Sequence, residues 1–274
     1  MSLPPPAPDR AAVITGASSG IGTEIARELH RRGHQVALVA RSADTLDALA
    51  KEFGPGAHAL PADLADRSER ASLLDRVADL GFTPDVLINN AGLSTVGPVW
   101  ESAPDAELNM IEVDVAAVAD LCTRFLPGMI ERGTGAVLNV ASTAAFQPVP
   151  GQAGYSACKA FVLSYTQSLS AELRGTGVSA TVLCPGPVDT GFDERAGFTQ
   201  GDAVNALPSF MWVSPTDVAK AAVDGMARGR LAVIPGVANR VAAQLAQFTP
   251  RSVLLPFLAR THPGLASTRT KPSG

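Results

Sequence analysis

Hydrophobic and polar positions along the chain alternate between short apolar runs and longer segments with a helical period. The apolar runs are rich in β-branched residues, which favours buried strands, and the amphipathic segments between them favour helices. This alternation is typical of a parallel sheet with helices on both faces. The predicted strands are residues 11–15, 35–40, 57–60, 85–89, 135–141, 178–183 and 231–234.

The segments between the strands predict amphipathic helices and one α/β domain. Because the 274 residues contain no internal repeat and no linker, we expect a single domain over residues 11–262. A proline-rich, disordered lead-in is expected at 1–10 and a flexible tail at 263–274. The predicted helices are residues 22–32, 105–132, 153–174 and 216–228, with one more around Leu46, Leu49 and Phe53.

Composition and charge narrow the class of protein. The chain is 46% hydrophobic and 18% charged, as a globular core requires, and its net charge of -4 gives no general attraction to nucleic acid. Its three cysteines, Cys122, Cys158 and Cys184, have no metal-ligand spacing, so we expect buried free thiols and no metal. Neither a signal-peptide pattern nor an apolar run of about 18 residues is present, which favours a cytoplasmic protein.

A glycine-rich turn joins the first predicted strand to the first predicted helix. It reads Thr15-Gly-Ala-Ser-Ser-Gly-Ile-Gly22. Glycine lets the backbone turn tightly and approach a phosphate, and the helix that follows offers unpaired N–H groups and the positive end of its dipole. In this position the turn predicts a dinucleotide-binding site rather than a purely structural turn.

The spacing of these glycines resembles the short-chain dehydrogenase/reductase family. The resemblance continues through Asn89-Asn-Ala-Gly92, Ser142, Tyr155-Ser-Ala-Cys-Lys159 and Pro185-Gly186, in the family's order. It implies a Rossmann-type doubly wound parallel sheet of about seven strands in the order 3-2-1-4-5-6-7. It also implies that Asn89 to Gly92 steady the fourth strand beside the cofactor and that Asp63 contacts the adenine. The implied cofactor-binding residues are Gly16, Ser18, Ser19, Gly20, Ile21, Gly22, Arg41, Asp63, Leu64, Asn90, Ala91, Gly92, Tyr155, Lys159, Pro185, Gly186, Val188 and Thr190.

The end of the second strand favours NADP(H) over NAD(H). Dinucleotide folds that select NAD usually place an Asp or Glu there, which accepts hydrogen bonds from the ribose hydroxyls. Here Ala40 occupies the strand end and Arg41 follows, while the nearest acid, Asp44, lies in the next helix. Because a guanidinium binds a phosphate through two parallel hydrogen bonds, Arg41 predicts NADP(H).

Tyr155 and Lys159 are four residues apart on a predicted helix, so their side chains share one face. A free tyrosine has a pKa of about 10, and an ammonium one turn away lowers that pKa toward the range that acid/base catalysis requires. By the resemblance, Tyr155 donates or accepts the proton and Lys159 also holds the nicotinamide ribose. Ser142 positions the substrate carbonyl as charge develops on its oxygen.

One position departs from the family pattern. Where the family usually has an asparagine that kinks the helix and holds a water in the proton relay, this chain has Asp114. An aspartate is nearly isosteric but as an anion cannot donate a hydrogen bond. It can also pair with Lys159 and weaken that lysine's effect on Tyr155. We expect Asp114 to substitute adequately as a fourth catalytic residue.

The substrate end of the site is predicted from irregular sequence. Residues 187–213 are the expected lid, because long irregular segments at strand carboxyl ends usually form binding sites. Phe146, Gln147 and Gln152 are placed to line the pocket. Arg195 is the single arginine of the lid, which does not suggest a strongly anionic substrate. We expect a small-molecule ketone, aldehyde or alcohol.

A C-terminal extension, residues 236–262, follows the last predicted strand. Val237, Val241, Leu245 and Phe248 share one face of a predicted helix. Packing of this extension against the domain or a second subunit is favoured over contact with a membrane surface. By the resemblance, the two long helices pair across a two-fold axis, so a homodimer or homotetramer is expected.

Two other functions fit parts of the pattern. A non-catalytic NADP-binding sensor or scaffold would share the fold but has little reason to keep Ser142, Tyr155 and Lys159 together. A nucleotide-sugar epimerase or dehydratase also uses Tyr-x-x-x-Lys, but normally has another glycine spacing and a larger substrate lobe. The motifs together favour an oxidoreductase that interconverts a carbonyl and an alcohol by hydride transfer.

Overall fold

The computed structural model describes residues 2–192, 208–261 and 263–265 of the chain. Its centre is a parallel sheet of seven strands in the order β3-β2-β1-β4-β5-β6-β7, which confirms the predicted Rossmann-type topology. The strands are β1 (Arg10–Thr15), β2 (Gln35–Ala40), β3 (Ala57–Pro61), β4 (Thr83–Asn89), β5 (Gly135–Val140), β6 (Val178–Leu183) and β7 (Ala232–Val233).

Helices cover both faces of this sheet. One face carries α1, α2 and α7, and the other carries α3, α5 and α6. The helices are α1 (Gly20–Arg31), α2 (Ala43–Phe53), α3 (Arg67–Asp79), α4 (Pro104–Ile111), α5 (Ala117–Glu131), α6 (Ala153–Glu172), α7 (Pro215–Ala227), α8 (Val237–Phe248) and α9 (Arg251–Thr261).

The two-sided covering explains why the strands are apolar along their length. In β1, Ala12 and Ile14 face the core beneath α1, whereas Val13 between them faces the core beneath α5 and α6. Side chains of a strand point alternately to opposite faces, so a strand buried on both sides needs an apolar residue at every position. The single sheet with its two cores confirms the one-domain prediction.

Helices α3 and α9 are elements that the periodicity did not predict. In α3, the helix start can be identified in the sequence. Asp66 caps it, since one carboxylate oxygen accepts hydrogen bonds from the backbone N–H of Ser68 and of Glu69. The spacing of Asp66 and Glu69 is the sequence signal that would have located the start of the helix. Its apolar stripe is sparse, because only Leu73 and Val77 among its apolar residues are fully buried.

The predicted single helix over 105–132 contains an irregular turn. The chain is helical from α4 through α5, but residues Glu112–Ala116 between them form a π-helical turn. The predicted helix is therefore one continuous helical run, and its irregular turn contains Asp114, the position where the family pattern has a kink. A π turn inserts an extra residue into a helix and often lies at a functional site.

Both ends of the chain differ from what the composition suggested. The backbone N–H of Leu3 donates to the carbonyl of Met226, Leu3 packs on the core beneath α7, and Pro4 is buried. For the described residues 2–10, the expected disorder is therefore wrong. Apolar contacts offset the ordering entropy, which is small for a proline-rich segment. Of the expected tail, Pro263–Leu265 form a short 3₁₀ helix and 266–274 lie outside the described residues.

The described chain contains no helix that combines the length and the apolar character of a membrane span.

Candidate active site

A cavity of about 1150 Å³ lies at the carboxyl ends of the strands. The strand order reverses between β1 and β4, and the loops that leave neighbouring strands there diverge and open a crevice. All but one of the predicted cofactor residues line this cavity: Gly16, Ser18, Ser19, Gly20, Ile21, Arg41, Asp63, Leu64, Asn90, Ala91, Gly92, Tyr155, Lys159, Pro185, Gly186, Val188 and Thr190.

Gly22 is the exception, and its role is close packing. A Cβ on Gly22 would lie 2.2 Å from the carbonyl oxygen of Gly16, and a Cβ on Gly16 would lie 2.8 Å from the Cα of Ala91. Gly16 and Gly20 have φ angles of 65° and 59°, which strongly favour glycine. The turn therefore brings the N-terminus of the 12-residue helix α1, which has no acidic residue in its first turn, to the cavity wall. This arrangement fits a pyrophosphate.

Thr15 ties the glycine turn to the loop after β4. Its hydroxyl donates to the carbonyl of Ile88 and accepts from the backbone N–H of Asn90 and of Ala91. The side-chain amide of Asn90 in turn donates to the carbonyls of Thr15 and Gly16. These bonds hold together the two loops at which the strand order reverses.

A buried chain of amides connects the middle of the sheet to α6. Asn89 donates to the side-chain oxygen of Asn139 at 2.8 Å, and Asn139 donates to the Thr166 hydroxyl at 2.9 Å. Because buried polar groups need their partners, this chain sets the position of α6 against β4 and β5. Since α6 carries Tyr155 and Lys159, the amide chain also sets where those side chains enter the cavity.

Ser142, Tyr155 and Lys159 all line the same cavity. Ser142 follows β5, and its Oγ accepts a hydrogen bond from the N–H of Ala144 at 3.1 Å. That bond leaves the serine O–H as a donor toward the cavity. The Nζ of Lys159 lies 5.6 Å from the centre of the Tyr155 ring, within the range of cation–π attraction.

Lys159 also forms a buried ion pair with Asp114, which does not itself line the cavity. The Nζ–Oδ2 distance is 2.9 Å, and Asp114 accepts from the N–H of Leu93 through its other oxygen. Nζ further donates to the carbonyl of Val140. Burial raises the pKa of Asp114, and the Lys159 charge opposes that shift. Burial is the largest single influence on Lys159 and lowers its pKa, but Asp114, Tyr155 and Cys158 together raise it, and the net shift is upward.

Two of the three residues predicted to line the substrate pocket lie on the cavity wall. Gln147 and Gln152 line the cavity, and Gln152 donates to the Ser94 hydroxyl at 3.0 Å. Phe146 does not line it, because its side chain packs on the core beneath α6. The expectation for Phe146 is therefore wrong.

Both described ends of the predicted lid lie at the cavity. Phe192, Met211 and Trp212 line the cavity, and the Phe192 ring lies 6.0 Å from that of Tyr155. Residues 193–207, including Arg195, lie outside the described residues.

The sequence analysis missed the wall that the C-terminal extension contributes. Asn239 on α8 is buried against Gly186, and its amide donates to the carbonyls of Met211 and Pro235. The signal was present as small residues on the side of α8 opposite to Val237 and Leu245. The wall residues from α8 and α9 are Asn239, Ala242, Ala243, Ala246 and Leu258, and those from the α4 region are Asn109 and Val113.

The cysteines agree with the expectation of buried free thiols. Cys122, Cys158 and Cys184 are free and buried. Burial raises the pKa of Cys122 and Cys158 to about 11 and that of Cys184 to about 12, so these thiols stay protonated. Among the described residues, no group of His, Cys, Asp or Glu side chains has the arrangement of a metal site.

Comparison with known proteins gives consistent matches. A family model described as short chain dehydrogenase matches residues 10–200. A putative ketoacyl reductase from Streptomyces coelicolor is 38% identical over 184 residues, which cover 65% of this chain and 70% of that protein.

Two solved structures share the fold over most of the chain. A short-chain dehydrogenase from Sphingobium yanoikuyae in complex with NADPH is 32% identical, with a TM-score of 0.76 over 90% of this chain and 95% of that one. A 3-ketoacyl-(acyl-carrier-protein) reductase from Brucella melitensis complexed with NADH is 26% identical, with a TM-score of 0.76 over 83% and 96%.

Proposed function

The chain belongs to the short-chain dehydrogenase family, and on this premise we propose that it interconverts a carbonyl and an alcohol with NADP(H), with Tyr155 as the acid/base. Membership makes it an oxidoreductase that acts on CH–OH or C=O groups with a nicotinamide cofactor. The observation that carries the finer proposal is that Ser142, Tyr155 and Lys159 line one cavity together with the glycine turn.

The bound nicotinamide supplies or accepts the hydride. The residues placed to hold the cofactor are the glycine turn at the N-terminus of α1 for the pyrophosphate, Asp63 for the adenine, and Lys159 with the loop after β6 for the nicotinamide half. Arg41 is exposed just after β2 and lines the cavity beside Ser42 and Thr45. Its guanidinium would bind the 2′-phosphate there, and because residue 40 is an alanine, no carboxylate at the strand end would repel that phosphate. This supports NADP(H) as the preferred cofactor.

Tyr155 holds the proton that is exchanged with the substrate oxygen. In reduction it donates that proton to the developing alkoxide, and in oxidation the phenolate accepts the proton of the alcohol. The Lys159 ammonium beside the ring favours the phenolate by charge attraction. Ser142 donates its O–H to the substrate oxygen and stabilises the charge that develops there.

Some of the Lys159 charge is shared with Asp114. Because the carboxylate is 2.9 Å from Nζ, it offsets part of the positive potential at Tyr155. We therefore assign Asp114 a positioning role: it fixes the Lys159 side chain. Its negative charge also makes Tyr155 less acidic than an uncharged residue at position 114 would.

We further propose that the chain forms a homodimer or homotetramer through the long helices α5 and α6. Large apolar side chains that are exposed on these helices include Ile130 and Phe161. Paired across a two-fold axis, such side chains leave water together.

The proposal is tested first with a panel of ketones, aldehydes and alcohols, followed through the absorbance of NADPH. With a substrate in hand, Tyr155→Phe should lower kcat by about 100-fold or more, because it removes the transferred proton without changing the ring. NADPH affinity, measured by fluorescence titration, should change little.

Tyr165→Phe is the matched control, since Tyr165 is the only other tyrosine and packs on the core instead of lining the cavity. It should retain turnover. A Tyr155→Phe protein that turns over at the parent rate would contradict the proposal. NADPH binding without turnover of any panel member would favour the sensor or scaffold.

A further inference from the structure

The apolar face predicted for the C-terminal extension exists, but it points away from the domain. Val237, Val241, Leu245 and Phe248 on α8 are 74%, 49%, 64% and 82% exposed, and Val253 on α9 is 63% exposed. We call these five residues the outer face of α8–α9. Of the two expected packing partners, the domain is thus contacted by the other side of α8, through Asn239 and Ala243, and not by these five side chains. Large apolar residues grouped on a surface usually mark a site that another molecule covers.

Helix α8 carries its small residues inward and its large ones outward. Asn239 and Ala243 are buried against the domain, and Ala242 and Ala246 lie on the cavity wall. These positions are on the opposite side of the helix from Val241 and Leu245. The large residues are thus not part of the two core clusters.

Charge shows what kind of partner fits the outer face. The last 50 residues contain seven Lys or Arg and no Asp or Glu, whereas the preceding 224 contain 15 Lys or Arg and 26 Asp or Glu. On α8 and α9, Arg240, Arg251 and Arg260 are exposed, and among the described residues none of the three forms a salt bridge. An acidic protein thus ends in a basic segment that carries exposed apolar side chains.

We propose that the outer face of α8–α9 docks on an anionic lipid surface. Basic residues beside an exposed apolar helix face are the pattern of a helix that lies in the membrane interface. The apolar side chains enter the boundary between headgroups and acyl chains, and the arginines attract the anionic headgroups. A two-fold contact with a second copy fits less well, because both copies would bring the same basic patch with Arg240, Arg251 and Arg260 into one interface.

Docking in this way also has a consequence for the cavity. The wall made by Ala242, Ala246 and Leu258 belongs to the same two helices that carry the outer face. The lipid surface would therefore lie behind one wall of the site. The docking proposal itself needs no turnover and stands independently of the proposed reaction.

The test is co-sedimentation of the full-length protein with vesicles. The parent should bind vesicles of phosphatidylglycerol and phosphatidylcholine in equal parts, bind pure phosphatidylcholine much more weakly, and lose binding as salt is raised. Val241→Gln/Leu245→Gln should weaken binding by about tenfold or more, because two apolar side chains no longer enter the bilayer. Arg240→Gln/Arg260→Gln should weaken it by about tenfold as well.

The matched control is Leu80→Gln/Val99→Gln, which changes one exposed leucine and one exposed valine outside the extension. It should bind vesicles as the parent does, and circular dichroism should show that all variants fold. The proposal is overturned if the parent binds neither kind of vesicle, binds both equally, or binds as well after Val241→Gln/Leu245→Gln. It is also overturned if that variant instead lowers the oligomeric mass, since the outer face would then be a subunit interface.

Discussion

Lys159 shares its buried ammonium between two neighbours, Asp114 and the ring of Tyr155. The lysine is 4% exposed and the aspartate 1%, so their attraction is little screened by water. An asparagine at position 114 could still accept from the N–H of Leu93 but would carry no charge. How strongly the Lys159 charge acts on Tyr155 thus depends on whether residue 114 carries a carboxylate or an amide group.

For this reason, Asp114→Asn should leave kcat equal to or higher than that of the parent. Without the carboxylate, the full Lys159 charge acts on Tyr155, so the pH midpoint for alcohol oxidation should move to lower pH. The measurement is a pair of kcat profiles over pH. Asp105→Asn, at an exposed position on α4, should leave the profile unchanged. A large loss of kcat in Asp114→Asn would show that the carboxylate has a role of its own.

Replacing Arg41 distinguishes a site that prefers NADP(H) from one that prefers NAD(H). Arg41→Asp should lower kcat/KM for NADPH by about tenfold or more, because a carboxylate repels the 2′-phosphate, and it should improve the relative use of NADH. The ratio of kcat/KM for the two cofactors is the quantity to measure. Arg174→Asp, an exposed arginine at the end of α6, provides the control. An unchanged ratio in Arg41→Asp would refute the NADP(H) assignment.

Among the elements, β4 positions the site at its carboxyl end and carries a buried acid near its first residues. Its last residue, Asn89, begins the amide chain that reaches α6, and Asn90 and Ala91 just beyond it bind Thr15. Near its first residues, Asp85 is buried close to Arg10 and Arg132. The strand therefore has an acid in its interior that the site does not use.

Asp85 should make the stability of the fold depend on pH. Burial raises the pKa of Asp85 to about 6, although Arg10 and Arg132 oppose the shift. In the unfolded chain the value is about 3.9, so folding takes up a proton between about pH 4 and 6. Stability is therefore lost as the pH rises through this window.

Asp85→Asn should remove the loss of folding stability that occurs as the pH rises. In urea unfolding at pH 8 the variant should be more stable than the parent by about 2 kcal/mol, and at pH 4 the two should nearly coincide. Asp75→Asn, at an exposed position on α3, should have a small effect that is the same at both pH values. A gain from Asp85→Asn that does not depend on pH would contradict the assignment.

At the scale of the whole molecule, the proposals assign partners to two surfaces. One is on α5 and α6, where Ile130 and Phe161 are exposed, and the other is the outer face of α8–α9. We assign the first to a second copy of the chain and the second to lipid. The two assignments are separable, because they lie on different helices.

Light scattering coupled to size-exclusion chromatography separates them. The parent should have twice or four times the chain mass of 28.2 kDa. Phe161→Asp should lower that mass, since a charge buried in an apolar interface is strongly unfavourable. Phe248→Asp should leave it unchanged, and the opposite pattern would exchange the two assignments.

The sequence by itself determined the parallel sheet, and its resemblance to a known family supplied the strand order and nearly all of the residues proposed to hold the cofactor. Apolar runs, glycine spacing and the pair Tyr155 and Lys159 are local patterns. They can be identified in the sequence without knowing how distant segments pack. Local patterns failed where their signal was sparse, as in α3, or ambiguous, as with Phe146, which packs on the core.

Only the tertiary structure decided which distant groups meet. Asp114 and Lys159 are 45 residues apart in the chain, yet a π turn and the seating of α6 bring them to 2.9 Å. The extension closes one side of the cavity with alanines and turns its large residues to the surface, because Asn239 is held against Gly186 and Met211. Periodicity shows that residues share a face of a helix, but the direction of that face depends on what else packs there.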